Sequence, residues 1–299
     1  MKQKLLLLPI MVLFLFASCE NDSQMMDNPM PRRITPTSTT LGNEIGQLHN
    51  DAIIDFLTYV ENQGITPFYN GFLTDAVITN YVEEYVLANL DMTYYDNYLN
   101  IQSLHVNETR LTAFKNSLFD IFENPLLSTN DMELAIIQLT DDYMNESGYE
   151  DETIIMEIIG NVAKGTNTLW GSEWDFDEYP FVPAIYQTAV ADTITEEKEK
   201  EEQQELKKAD VRGAIEGAIE GYITGGQEGA IKGAAAGAIT KSIVEIIIQE
   251  LDLVAIVIPE EDVNTINTQS YFYHYLQQEL NYDTQAFHER YGYKFDDIL

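Results

Sequence analysis

Residues 213–240 read GAIE GAIE GYIT GGQE GAIK GAAA GAIT, with Gly213, Gly217, Gly221, Gly225, Gly229, Gly233 and Gly237 recurring every fourth residue without a miss. A period of four is an internal repeat at helical spacing. At about 100° per residue, the four positions of each tetrad fall on four stripes of a helix. One face is small (Gly213, Ala214, Gly217, Ala218) and one is bulky (Ile215, Ile219, Ile223, Ile231, Ile239). A polar ridge of Glu216, Glu220, Thr224, Glu228, Lys232 and Thr240 lies between them. Seven glycines cost a helix roughly 6–7 kcal/mol relative to alanine. That handicap calls for close tertiary packing, and glycine is the residue that lets two backbones touch. Each tetrad turns about 400°, so every stripe creeps by about 40° per step. A straight partner cannot follow the glycine face along the whole run. Either a partner wraps around it, or the ladder breaks at Thr224-Gly225-Gly226-Gln227 into a hairpin. Gly-Gly is the best turn signal in the segment, so the hairpin is preferred, its arms packed glycine face to glycine face.

A single helix over 213–237 would be about 36 Å long, enough for a bilayer core of about 30 Å. Glu216, Glu220, Glu228 and Lys232 lie inside it. Four charges at depth cost on the order of 10 kcal/mol or more. The charge-free stretch 233–240 falls well short of the ~18 residues a span requires. Core packing is therefore favoured over a lone span, and a multimer pointing its glutamates into a wet lumen is the alternative. Over residues 211–245 the segment resembles the glycine zippers of some pore-forming and bacteriocin-type peptides, which implies oligomerisation or membrane activity.

Upstream, Glu196 to Lys208 holds six glutamates and four lysines in mixed order. Pairs such as Glu196 with Lys200 suit an exposed helix. Residues 196–210 read as a charged linker or helix at the boundary between two halves of the protein. Downstream, 242–258 is densely apolar and predicts a buried helix ending before Pro259, its β-branched end leaving a short strand open. In the tail, Tyr271, Phe272, Tyr275 and Leu276 share a helical face.

The first half also carries helical periodicity. Apolar residues at 41, 45, 48, 52, 53, 56, 57 and 60 predict a first helix. Others follow over 73–99 (bent near Asp91), 108–122, 130–145 and 152–164. Asn130 and Glu133 fit a capping box, and Gly165 fits a glycine just past a helix end. Residues 166–183 read as a loop anchored by Trp170 and Trp174, either a cover on the bundle or the wall of a ligand pocket. The predicted fold class is all-α: a multi-helix bundle over 41–195, and a glycine-zipper helix or helical hairpin in the C-terminal region 211–299.

The chain begins Met1-Lys2-Gln3-Lys4, followed by an apolar run from Leu5 to Phe16. This pattern has the length and flanks of a secretory leader. The run ends in Phe16-Ala17-Ser18-Cys19, and Cys19 is the one cysteine of the chain. Two small residues before a cysteine resemble the lipobox of bacterial lipoproteins, here of the Bacteroidota type, with Phe16 where leucine is commoner. The resemblance implies that residues 1–18 are removed and Cys19 is lipidated. Glu20-Asn21-Asp22 resembles the acidic signals that send such lipoproteins to the outer face of the outer membrane. Residues 19–40, rich in Pro, Ser, Thr, Asn and Met, read as a flexible tether. Asp192-Thr193-Ile194 matches the short O-glycosylation motif of exported Bacteroidota proteins, with Thr193 as acceptor.

Composition bounds the function. The 299 residues include 16 basic and 50 acidic ones, a formal net charge of −34, and 45% are hydrophobic. Such a chain buries a core, and its acidity argues against nucleic acid as a partner. The sequence holds no catalytic signature: no GxSxG, no P-loop, and no HxxxH or HExxH among His49, His105, His274 and His288. No cofactor, metal site or catalytic residue is assigned. Three functions are compatible with this reading. The first is a lipid-anchored, non-enzymatic interaction or structural protein, with a protein partner or self-association. The second is a membrane-active or oligomerising protein working through the glycine zipper. The third is a hydrolase with an unrecognised site near Trp170 and Trp174.

Overall fold

A computed structural model describes residues 43–63, 75–95, 107–146, 152–173, 181–182, 184–192 and 194–257. They form seven α-helices and, among the described residues, no strand. The helices are α1 (Asn43–Gln63), α2 (Asp75–Asn89), α3 (Glu108–Phe122), α4 (Thr129–Met144), α5 (Thr153–Thr168), α6 (Ala184–Ala191) and α7 (Glu196–Val257). The fold is the expected all-α bundle. The expected bend near Asp91 is present, since α2 stops at Asn89 and a 3-10 turn, Met92–Tyr95, follows. Asn107 caps α3 by accepting a hydrogen bond from the Arg110 amide. Residues 1–42, Thr193, Trp174 and the tail from 258 onward lie outside the described residues.

α5 is the central helix. Ten of its sixteen residues are buried, and α4, α1 and α7 all pack on it. Two of its glycines mark the closest approaches. A Cβ on Gly46 of α1 would stand 2.4 Å from the Asn161 carbonyl oxygen, and one on Gly165 would stand 2.7 Å from that of Gly46. A Cβ on Gly160 would lie 2.2 Å from the Thr140 hydroxyl of α4. Gly165 therefore corrects one expectation: it does not end the helix, which runs on to Thr168, but lets α1 lie against its last turn. Helical structure continues to Thr168 and then through a π turn, Leu169–Glu173, so 166–173 is not loop. The expected capping box on α4 lies two residues further upstream. Ser128, not Asn130, is the N-cap, accepting from the Asp131 amide, and Asp131 takes the place foreseen for Glu133.

α7 is two helices merged across a reversal. Gly226 has φ 63° and ψ −144°, a conformation open essentially to glycine alone. Its arms, 196–225 and 227–257, run antiparallel. A Cβ on Gly213 would stand 2.2 Å from the Gly237 carbonyl oxygen, one on Gly217 1.9 Å from that of Gly233, and one on Gly221 1.9 Å from that of Gly229. The reverse approaches are equally short, so each glycine lies under its opposite number. Each arm uses only three glycine rungs, which keeps the creep of the stripe small. Gly225 has nothing within 4 Å of such a Cβ. Replacing Gly226 by alanine is expected to cost about 1–3 kcal/mol through backbone strain alone. A thermal melt of G226A tests this, and an unchanged melting temperature would remove Gly226 as the turn-forming residue.

A second stripe runs beside the glycines and is buried throughout. On the first arm it comprises Glu202, Leu206, Asp210, Ala214 and Ala218; on the second, Ala234, Ala238, Ser242, Ile246 and Glu250. Counted from the turn, the two lists match rung for rung: Ala218 with Ala234, Ala214 with Ala238, Asp210 with Ser242, Leu206 with Ile246, Glu202 with Glu250. Of the two readings of the charged run 196–210, linker or helix, the helix is the one present. Leu206 and Val211 lie in the same core as Phe56, Phe114 and Trp170, and Thr35–Leu299 forms one compact unit. The run is not wholly exposed, because its inward stripe of Glu202, Leu206 and Asp210 is buried.

Candidate functional site

The polar rung Asp210/Ser242 is the chemical centre of the described structure. Both residues are completely buried, as are His49 of α1, Thr166 of α5 and Trp170 of the π turn. Each arrives from an element fixed by glycine contact: His49 lies three residues beyond Gly46, Thr166 follows Gly165, and Asp210 and Ser242 sit just below the lowest glycine rung. Trp170 Nε1 donates to Asp210 Oδ2 at 2.9 Å. The Thr166 hydroxyl donates to the same oxygen, and the Ser242 hydroxyl donates to Asp210 Oδ1. His49 Nε2 stands 3.2 Å from Asp210 Oδ2 and 3.1 Å from Ser242 Oγ.

Counting donors fixes the charge on the ring. Asn50 Nδ2 donates to the Gly165 carbonyl at 3.0 Å, which turns its Oδ1 toward His49 Nδ1 at 2.9 Å. Nδ1 must therefore carry a proton. The Ser242 proton goes to Asp210, so Nε2 also faces acceptors only and carries a proton. Both ring nitrogens thus face acceptors, an arrangement that favours the imidazolium beside Asp210. Burial alone would lower the His49 pKa, but the charge and hydrogen bond of Asp210 reverse that and leave it raised.

Serine, histidine and aspartate in contact invite comparison with a nucleophilic triad, and the wiring excludes it. A triad sets histidine between serine and aspartate, with one nitrogen free to take the serine proton. Here Asp210 takes that proton itself and both ring nitrogens already donate. The arrangement works as a clamp joining α1, α5, the π turn and both arms of α7.

Two neighbouring contacts extend it. Lys207 Nζ donates to Asn167 Oδ1 at 3.1 Å, and Asn167 donates to the Thr129 carbonyl at 2.9 Å. This chain ties α7 to the start of α4, and burial pulls the Lys207 pKa down to about 8. At the base of the hairpin, Glu250 accepts the backbone N–H groups of Phe181, at 2.8 Å, and Val182.

Of the residues singled out from sequence, the seven glycines are described, and six of them pair across α7 while Gly225 stands open near the turn. Trp170 is buried in the clamp and lines no open wall. Cys19, Thr193, Trp174, His105, His274 and His288 lie outside the described residues. The sequence reading missed Asp210, Ser242 and Thr166. A signal for two of them was present: Asp210 and Ser242 continue the alanine stripe of the tetrads, one step beyond Ala214 and Ala238. Among the described residues, no group of three or more His, Cys, Asp or Glu side chains is placed to hold a metal. No described helix is long and apolar enough to cross a membrane. No protein-family model, curated protein or solved structure matches the chain.

Proposed function

We propose that this protein is a lipid-anchored extracytoplasmic protein, held at the outer membrane through Cys19, that works by contact with another protein and not by catalysis. The observation that carries the reading is the one cysteine of the chain, placed after Ala17-Ser18 at the end of a leader-like apolar run. Among the described residues, the Ser-His-Asp set of Ser242, His49 and Asp210 is buried and used as a clamp, which favours a contact role over catalysis at that place. The glycine faces are likewise covered by one another, which favours core packing over insertion into lipid. The alternative of a membrane-active hairpin rests on the exposed tip, where Ile223 is 77% accessible beside Gly225 and Gly226.

The test is metabolic labelling of the full chain with an alkyne fatty acid in a Gram-negative host. Wild type is expected to take up label and fractionate with outer membranes, and Cys19→Ala to do neither. An unlabelled wild-type chain would sink the anchoring. Leakage of dye-loaded vesicles on adding the protein would instead favour the membrane-active alternative.

A further inference from the structure

The lowest rung of the hairpin, Glu202 against Glu250, is a carboxylate opposite a carboxylate inside the protein. Glu202 is 9% and Glu250 5% accessible. The arms are still joined here, since Gln249 Nε2 donates to the Glu202 carbonyl at 3.1 Å. Glu250 reaches out of the hairpin to accept from Phe181 and Val182, the residues that lead into α6. One side chain therefore faces both the opposite arm and the strap before α6.

Among the described residues, the charges around the rung do not neutralise it. On the first arm Lys198 lies 3.8 Å from Glu202, while Glu199 and Glu201 add like charge. From the second arm Asp252 adds more, and Glu202 is itself the charge felt by Glu250. The strap offers backbone N–H groups but no cation. Burial disfavours charge on both carboxyls at once, so the closed form favours a protonated carboxyl on this rung.

We propose that the Glu202/Glu250 rung is a proton-controlled latch that keeps the base of the hairpin and the α6 strap closed, and opens both when its proton leaves. Burial pushes Glu202 up to about 7, and it pushes Glu250 well above the usual carboxylate range. Both values are raised by folding. The stabilisation is thus fully present below the ordinary carboxylate pKa, roughly 4.5, and is lost as pH rises through about 7. The upper rung does not follow. His49 is raised and stays charged against Asp210 through the lower part of this range, and its pairing weakens only once pH passes that raised value, so the base is expected to loosen before the upper rung.

Hydrogen exchange of the full chain between pH 5 and pH 8, corrected for intrinsic rates, tests the latch. This range lies at or below the Lys207 value of about 8, which works in the opposite direction. Protection of 196–206, 246–257 and 184–191 is expected to fall about tenfold or more toward pH 8. Protection of α3 and α4 should hold, and that of 210–242 should fall less than that of the base. The double variant Glu202→Gln, Glu250→Gln should keep its base protected at both ends of the range, and Glu202→Gln alone should recover part of the loss. Flat protection in the wild type would overturn the latch. So would equal loss in wild type and variants, or loss spread evenly over α3 and α4.

Discussion

Gly217→Ala is expected to unfold the hairpin, while the same substitution at Gly225, two tetrads away, should stabilise the protein. Helix propensity favours alanine over glycine by about 0.8–1 kcal/mol at either position. What differs is the space. At Gly217 the new methyl would stand 1.9 Å from the Gly233 carbonyl oxygen and 2.7 Å from its carbon. Those atoms are backbone within a helix, so no rotamer change relieves the contact. The arms must part by more than 1 Å, and Gly213/Gly237 and Gly221/Gly229 lose their contact with them. Overpacking a rigid site costs about 1–3 kcal/mol and occasionally more, and this site belongs at the upper end. At Gly225 the methyl meets nothing within 4 Å, so the propensity gain stands. Urea unfolding of the two variants should give midpoints displaced in opposite directions. Two midpoints moving the same way would mean that the glycine rungs do not hold the arms together.

Asp210→Ala is expected to cost about 3–5 kcal/mol, the range for breaking a buried pair and stranding its partner. The change removes the acceptor for Trp170, Thr166, Ser242 and His49 together. Most of the loss would come from the imidazolium left in a dry core. The combined variant His49→Leu, Asp210→Ala should then be more stable than Asp210→Ala alone, because the stranded charge goes with its partner. Chemical denaturation of the single and double variants completes the cycle. Additive losses would show that His49 and Asp210 do not act as a charged pair.

The helices were legible because an apolar residue every three or four positions has few alternatives to a helix with one wet face. α3 coincides with its expected span, and α1 and α2 differ from theirs mainly at the ends. The reversal at Gly226 was legible from Gly-Gly and from the creep of the glycine stripe. The clamp was not. Asp210 ends a run in which most residues are charged, and nothing local separates a carboxylate facing solvent from one facing a core. His49 was one isolated histidine among four, and its partners lie far off at 210 and 242. Gly165 misled for a related reason: glycine serves both to end a helix and to let another helix touch it, and only the position of α1 decides between them.

The glycine ladder also poses a problem of alignment that its own repeat cannot solve. A comb with identical teeth engages another equally well after sliding by one tooth. Moving one arm of α7 by a tetrad would leave glycine over glycine, with Gly217 against Gly237, and alanine over alanine. Two features make that slipped form a poor competitor. Asp210 would then meet Ile246 while Ser242 met Ala214, leaving a buried carboxylate without its hydroxyl. The turn would also move two residues along, asking Glu228 for a backbone conformation that suits glycine. The teeth supply attraction and the odd tooth at 210 and 242 supplies the count, so a chain lacking Asp210 is expected to be misaligned as well as unstable.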